Sequence, residues 1–141
     1  MQWHVAGIAK QSEHNWQLCK DVGLFGISTD NRKHRLDKVK AHDKVAIWQA
    51  GKGWIALIEA TTDTRRPIDK LETPWGGGLA RFGLVFPFLI LIEPAAPIEL
   101  KFIDYKQEKT GMSVFSLRKG FSLVSNEIGE KIEKVFSQYV L

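Results

Sequence analysis

Cysteine is almost absent from this chain: Cys19 is the one thiol in 141 residues. An intramolecular disulfide is therefore impossible, a cysteine-based zinc site is excluded, and a reducing, cytoplasmic compartment fits best. Long apolar runs are missing too. The longest, Leu84 to Ile92, is broken by Pro87 and reaches about half the length of a membrane helix, so no membrane partner is expected. A secretory signal needs an unbroken apolar stretch, and residues 1–20 instead carry His4, Lys10, Glu13 and His14. Chemical motifs are scarce. No G-x-G-x-x-G or P-loop follows a strand pattern, and Gly76-Gly77-Gly78 precedes no helical pattern, so phosphate cradling is not expected there. His4, His14, His34 and His42 lack the i, i+4 pairing or carboxylate spacing of a metal site. There is no G-x-S-x-G elbow and no Cys-His signature, although a Ser/His/Asp triad assembles in space and spacing alone does not dismiss it. These absences leave no catalytic, metal or cofactor residue to assign, and a non-enzymatic role is expected.

What is present describes a folded chain. Hydrophobic residues make up 44% and charged residues 26%, which excludes disorder, and the length suits a single domain spanning residues 1–141. Twenty Lys and Arg against sixteen Asp and Glu leave a net charge of +4, which permits a polyanionic partner without demanding one. That excess lies in residues 1–70, and it concentrates at Arg32, Lys33, Arg35, Lys38, Lys40 and Lys44, opposed only by Asp37 and Asp43. Such a stretch is either a solvated loop or a phosphate-contacting patch whose binding weakens with salt. Arg65-Arg66 and Arg118-Lys119 are further basic pairs, bland alone but able to rim a groove if the fold brings them together.

The periodicity alternates between strand and helix. Trp3 to Ala9 reads as a strand, followed by a helix capped by Ser12 or Asn15 and stopped by Gly23. Leu24 to Ser28 is a second short strand. Asp43 to Gln49 and Trp54 to Thr62 form a hairpin across Ala50–Gly53. Residues Asp63 to Phe82 make a long loop, and loops of that length are usually functional or disordered. Leu84 to Glu93 is an apolar strand in which Pro87 marks a bulge, an edge or an end; Ile98 to Phe102 is expected to continue the sheet. The echo F-S-L at Phe115–Leu117 and Phe121–Leu123 is too short to be a structural repeat. Ser125 caps a final helix with Ile128, Ile132, Val135, Phe136 and Tyr139 on one face. Five or six strands, two longer helices and a long loop predict an α+β domain around a curved, largely antiparallel sheet or small barrel.

The aromatic set is the richest chemical signal. Five tryptophans stand among fifteen aromatic residues. Trp3 and Trp48 are expected in the core, Cys19 is expected to be buried and inert, and Trp54, beside the hairpin turn, joins the pocket candidates. Trp75 lies next to three glycines, where little local packing explains an indole, and such a ring suits stacking on a planar or methylated group.

Several segments in order resemble EVE domains, relatives of the YTH readers in the PUA-like superfamily: S-E-H-N-W at Ser12–Trp16, V-G-L-F-G at Val22–Gly26, K-V-K-A-H-D-K-V-A-I-W at Lys38–Trp48, G-W-I-A-L-I-E-A at Gly53–Ala60, and the T-P-W loop leading into F-G-L-V-F. The resemblance covers nearly the whole chain. It implies a PUA-like β-barrel of curved antiparallel or mixed strands with flanking helices, and an aromatic pocket that takes a modified base of DNA or RNA. By the same resemblance Asn15 would hydrogen-bond the base edge, Phe25 and Trp75 would wall the pocket, Gly26 would offer backbone contacts, and Trp16 would add a further wall. Phe25 stands where the family usually has Trp, and His42 where it usually has Gly. The basic residues Arg32, Lys33, Arg35, Arg65, Arg66, Arg118 and Lys119 are then the expected phosphate contacts. A nucleotide-binding or small-molecule role, or a protein-interaction module using the same pocket, are the competing expectations.

Overall fold

Strands that are buried on both faces read as nearly continuous apolar runs, and residues 45–47, 56–58 and 84–86 of this chain are buried at every position, whereas Leu89, Ile90 and Leu91 of the longest run are exposed. The computed structural model describes residues 1–28, 39–118 and 120–139. Within them lie β1 (Trp3–Ile8), α1 (Asn15–Val22), β2 (Leu24–Ile27), β3 (Lys44–Gln49), β4 (Gly53–Ala60), α2 (Gly78–Arg81), β5 (Leu84–Ile92), β6 (Phe102–Ile103), β7 (Lys106–Gln107), α3 (Val114–Leu117), β8 (Phe121–Val124) and α4 (Asn126–Gln138). Six strands form one curled sheet in the order β2-β5-β4-β3-β1-β8, while β6 and β7 pair as a separate hairpin. β1 and β3 run parallel; the other pairs of the sheet are antiparallel. This is the mixed α+β half-barrel that the sequence predicts.

Alternation along β1 sends Trp3 and Val5 into one apolar cluster and Ala6 and Ile8 into another. The first cluster, on the face covered by α4, holds Trp3, Trp54, Leu57, Ile132, Val135 and Phe136. The second lies within the curl and gathers Trp16 and Cys19 of α1 with Phe25, Phe86, Trp75 and Phe82. Ser125 caps α4 by accepting a hydrogen bond from the Ile128 amide at 3.2 Å, as expected. Tyr139 departs from the expected stripe: the helix ends at Gln138, and the ring is 52% exposed.

The starts of β1 and β3 are fastened by one buried carboxylate. Asp43 accepts hydrogen bonds from the Gln2 amide at 2.8 Å and the Lys40 amide at 3.1 Å, and its Oδ2 lies 3.0 Å from His4 Nε2. Burial alone would raise the Asp43 carboxyl, but the Gln2, His4 and Lys40 contacts outweigh it and hold the group below its ordinary value. Just before it, His42 has φ +73°, a left-handed backbone that glycine adopts without penalty. The turn thus keeps its shape although histidine occupies it.

Some expected boundaries move. The residue before α1 is His14, with no side-chain cap, and Asn15 is the first helical residue; Gly23 closes the helix in the left-handed conformation as predicted. Gly76-Gly77-Gly78 leads directly into the single turn α2, against the expectation that no helix follows it. Ile98 makes only an isolated bridge to Trp54, so residues 98–102 do not continue the sheet. The second F-S-L forms β8 on the edge of β1, and the first lies in α3. No helix among the described residues is long and apolar enough to cross a membrane.

Candidate functional site

The two ends of the sheet, β2 and β8, are not bonded to each other in the strand order, so the curl stays open on that side. A cleft of about 750 Å³ lies there, within the range of small-ligand sites. Its lining comes from the ends of β1 and β3, from α1 and β2, from the loop carrying Trp75, and from residues 114–121. Exposure separates floor from rim. Ile8, Cys19, Phe25, Ile27, Trp75 and Phe121 are buried lining residues, whereas Lys10, Arg81, Phe102 and Arg118 are exposed ones.

Helical geometry explains which α1 side chains reach the cleft. Asn15 and Cys19 are four residues apart and share a face, and both line it. Trp16 is turned about 100° from them, as the 3.6-residue period requires. Its indole donates to Glu93 Oε2 at 2.7 Å, its ring stacks on Phe88 at 5.7 Å between centroids, and Lys20 lies 5.5 Å from its ring centre. Trp16 is thus a packed and satisfied side chain outside the cleft, a correction to its expected place as a wall. Asn15, half-buried, has no side-chain hydrogen-bond partner among the described residues.

Trp75 is 4% exposed and packs its ring on the backbone of β2. A Cβ on Gly26 would sit 2.5 Å from the six-membered ring of Trp75, so glycine there is what lets the indole lie down on the strand. Phe82 packs against the same indole at 5.0 Å, and Phe25 packs on Phe86 at 5.7 Å. The Trp75 Nε1–H is buried with no hydrogen-bond partner. The neighbouring Cys19 thiol is a weak acceptor, and burial pushes its pKa up to about 12, so it is a neutral SH at ordinary pH. A buried donor without a strong acceptor costs about 1–3 kcal/mol, and the residue that carries this one lines the cleft.

Trp54 is the second correction. It is fully buried in the cluster under α4, and its indole donates to Gln107 Oε1 at 3.0 Å. Its cross-strand partner Trp48, expected in the core, is only half-buried and takes the cleft-lining place, edge-on to Trp54 at 5.0 Å and to Phe102 at 6.3 Å. A register shift between Ile47 and Trp48 accompanies this change.

Of the expected phosphate contacts, Arg32, Lys33, Arg35 and Lys119 lie outside the described residues. Arg118 stands on the rim. Arg65 does not: its guanidinium makes a two-pronged ion pair with Glu72 at 2.7 and 2.8 Å and holds that carboxyl down at about 2. Arg66 is exposed but lines no part of the cleft. Lys44 pairs with Glu133 at 3.0 Å and Lys40 lies 3.9 Å from Asp63, so this part of the basic stretch is matched by acids. The rim cations that sequence reasoning missed are Lys10 and Arg81. Arg81 sits six residues after Trp75 in the same long loop, which was the available signal.

The described lining contains no Asp, Glu or His, and no cluster of His, Cys, Asp or Glu among the described residues could hold a metal ion. What the cleft offers is aromatic and aliphatic surface, the amides of Gln11 and Asn15, the hydroxyls of Ser12 and Ser28, the Trp75 indole, and a cationic rim.

No protein-family model and no curated protein matches the sequence. Solved structures do match in fold. A hypothetical protein from Leishmania major superposes with a TM-score of 0.65 at 12% identity, over 98% of this chain and 96% of that one. An NMR structure from Rhodopseudomonas palustris gives 0.65 at 11% identity, over 100% and 97%. The YTH domain of the MRB1 protein of Zygosaccharomyces rouxii, solved in complex with N6-methyladenosine RNA, gives 0.60 at 13% identity, over 95% and 86%. The chain therefore shares its fold with these structures, a YTH domain among them.

Proposed function

We propose that this chain is a non-enzymatic reader that takes a modified nucleobase of DNA or RNA into the cleft beside Trp75, while its cationic rim contacts phosphates. The observation that carries the reading is the wall of the cleft: the Phe25 ring, the unpaired Asn15 amide, and Trp75, whose buried Nε1–H has only the weakly accepting Cys19 thiol beside it. A base brings what this cleft is short of: acceptors for the indole N–H, a Watson–Crick edge for Asn15, and a planar face for the aromatic rings. The fold shared with a YTH domain solved on N6-methyladenosine RNA supports the same reading.

Magnitudes decide how pocket and rim divide the work. A methyl group adds about 0.8 kcal/mol of burial, and stacking adds about 1–3 kcal/mol per base. Extruding a base from a duplex costs a few kcal/mol, which phosphate contacts from Arg118 and Lys10 offset. The pocket therefore discriminates and the rim holds. The absence of carboxylates and imidazoles from the described lining, and the neutral Cys19 thiol, favour recognition over turnover.

A panel of modified nucleosides and matched oligonucleotides, titrated against wild type and Asn15→Ala, tests this. One modification should bind at least tenfold better than its unmodified parent, and Asn15→Ala should abolish that ratio at unchanged melting temperature. Equal affinity for every modified and unmodified member would overturn the reading.

A further inference from the structure

Beside the cleft lies a second depression of about 530 Å³, lined by Phe102, Asp104, Tyr105, Val114, Phe115 and Arg118. Phe102, Val114 and Arg118 line both cavities, so the two are adjacent. Its aromatic residues are presented outward. Tyr105 is 71% exposed and Phe115 61%, and the two rings stack at 6.1 Å with 27° between their planes. Large aromatic rings stacked on each other in solvent are not explained by core packing.

The backbone is bent to hold them there. Asp104 and Tyr105 are the two-residue loop of the β6–β7 hairpin, and their φ of +52° and +64° are what a type I′ turn requires at both positions. The Val114 amide donates to the Tyr105 carbonyl at 2.8 Å, tying the hairpin tip to α3 and fixing Tyr105 beside Phe115.

We propose that Tyr105 and Phe115 form a stacking platform for the base next to the one read in the cleft, with Arg118 on the intervening phosphate, so that the natural ligand is a single strand. This rests on the reader assignment above and names the form of its ligand. A third ring does not fit between the two side chains, since intercalation needs roughly 7 Å, twice the about 3.4 Å base spacing. The neighbouring base stacks on the outer face of the pair, as bases do on sequence-tolerant platforms. Among the described residues, Arg118 is the one cation that lines both cavities. In a duplex the neighbouring base stays stacked within the helix and cannot reach Tyr105.

The test compares binding of the preferred modified nucleoside, a single-stranded nonamer with that base at its centre, and the same nonamer annealed to its complement. Wild type should bind the single strand more tightly than either alternative. Tyr105→Ala/Phe115→Ala should weaken nonamer binding five- to a hundredfold and leave nucleoside binding unchanged; Tyr105→Phe should retain the wild-type value. Both replaced side chains are exposed, so an unchanged melting temperature serves as the folding control. Loss of nucleoside binding in Trp75→Phe together with wild-type nonamer binding in the double variant would overturn the platform and keep the reader. Nonamer binding that depends on Tyr105 and Phe115 but ignores base modification would keep the platform and overturn the reader. Preference for the duplex would overturn the platform outright.

Discussion

At the scale of single residues, Trp75 separates stability from binding. Its ring is buried against Gly26 and Phe82, so truncation to alanine would remove about 3–5 kcal/mol and confuse the two. Trp75→Phe keeps an apolar ring and deletes the unpartnered N–H. Loss of contact area and relief of a buried orphan donor then oppose each other, and the melting temperature should change by only a few degrees while affinity for the preferred base falls about tenfold. His42 makes the converse case, a residue whose replacement should help. Its left-handed φ of +73° costs about 1–2 kcal/mol, and its side chain is 79% exposed with only a 4.0 Å approach to Glu59. His42→Gly should therefore raise the unfolding free energy by about 0.5–1 kcal/mol in a denaturant titration, after the entropy of the added glycine is subtracted. A fall in stability would show that the imidazole does more than occupy a turn.

At the scale of elements, α4 is held on β1 by the absence of a side chain. A Cβ on Gly129 would lie 2.2 Å from the Trp3 ring. Alanine is the better helix former by about 1 kcal/mol, yet Gly129→Ala should destabilise the protein by several degrees in a thermal melt because the helix must lift off the indole. The Arg65–Glu72 pair sets the acid response of the loop that carries Trp75. The folded-state pKa of Glu72 is lowered from 4.5 to about 2, so its contribution is present above pH 4.5 and is lost as pH falls toward 2. Asp43, also lowered, adds in the same direction below its ordinary 3.8. Melting temperature should drop on acidification through this window, and Glu72→Gln should flatten part of the drop.

These elements were unequally legible in the sequence. β1, β3, β4, β5 and α4 declare themselves because each is long enough to show a period or an apolar run, while the four residues of β2 are marked by the Gly23 stop before them. β8 is four residues whose partner β1 lies more than a hundred positions away, and neither its length nor its composition announces the pairing. The single turns α2 and α3 are too short for any period. Trp75 was readable because a glycine-rich loop offers an indole no local reason to exist. Trp16 and Trp54 were misplaced because the face an indole takes depends on helix phase and on the register shift at Ile47/Trp48, and neither is a property of the residue itself. Resemblance to a motif carried Asn15 and Phe25 to the cleft but could not separate Asn15 from its neighbour Trp16, about 100° away around the helix.

For the whole molecule, the net charge of +4 is less informative than its arrangement. Lys20, Lys44, Lys52 and Arg65 are each paired with a carboxylate within 3.1 Å, whereas Lys10 and Arg118 stand exposed on a cleft whose described lining has no acid. Binding should weaken linearly in log K against log salt, and Arg118→Ala should reduce the slope by about 0.7, the value for one phosphate of a single strand. An unchanged slope would remove Arg118 from the phosphate-contacting rim. The half-barrel left open between β2 and β8 is what brings a floor of aromatic rings and that rim to one place.

The central claim, that the cleft takes a modified base against Trp75, is tested most directly by the indole N–H signals in a two-dimensional nitrogen–proton NMR titration. Trp16 and Trp54 already donate to Glu93 and Gln107, whereas Trp75 has only the weakly accepting Cys19 thiol beside it, so the protein carries its own controls. On adding the modified nucleoside panel, the Trp75 resonance should move downfield with one member and saturate, while those of Trp16 and Trp54 stay in place. A Trp75 signal that never moves, or that moves equally with the unmodified parent, would contradict the account.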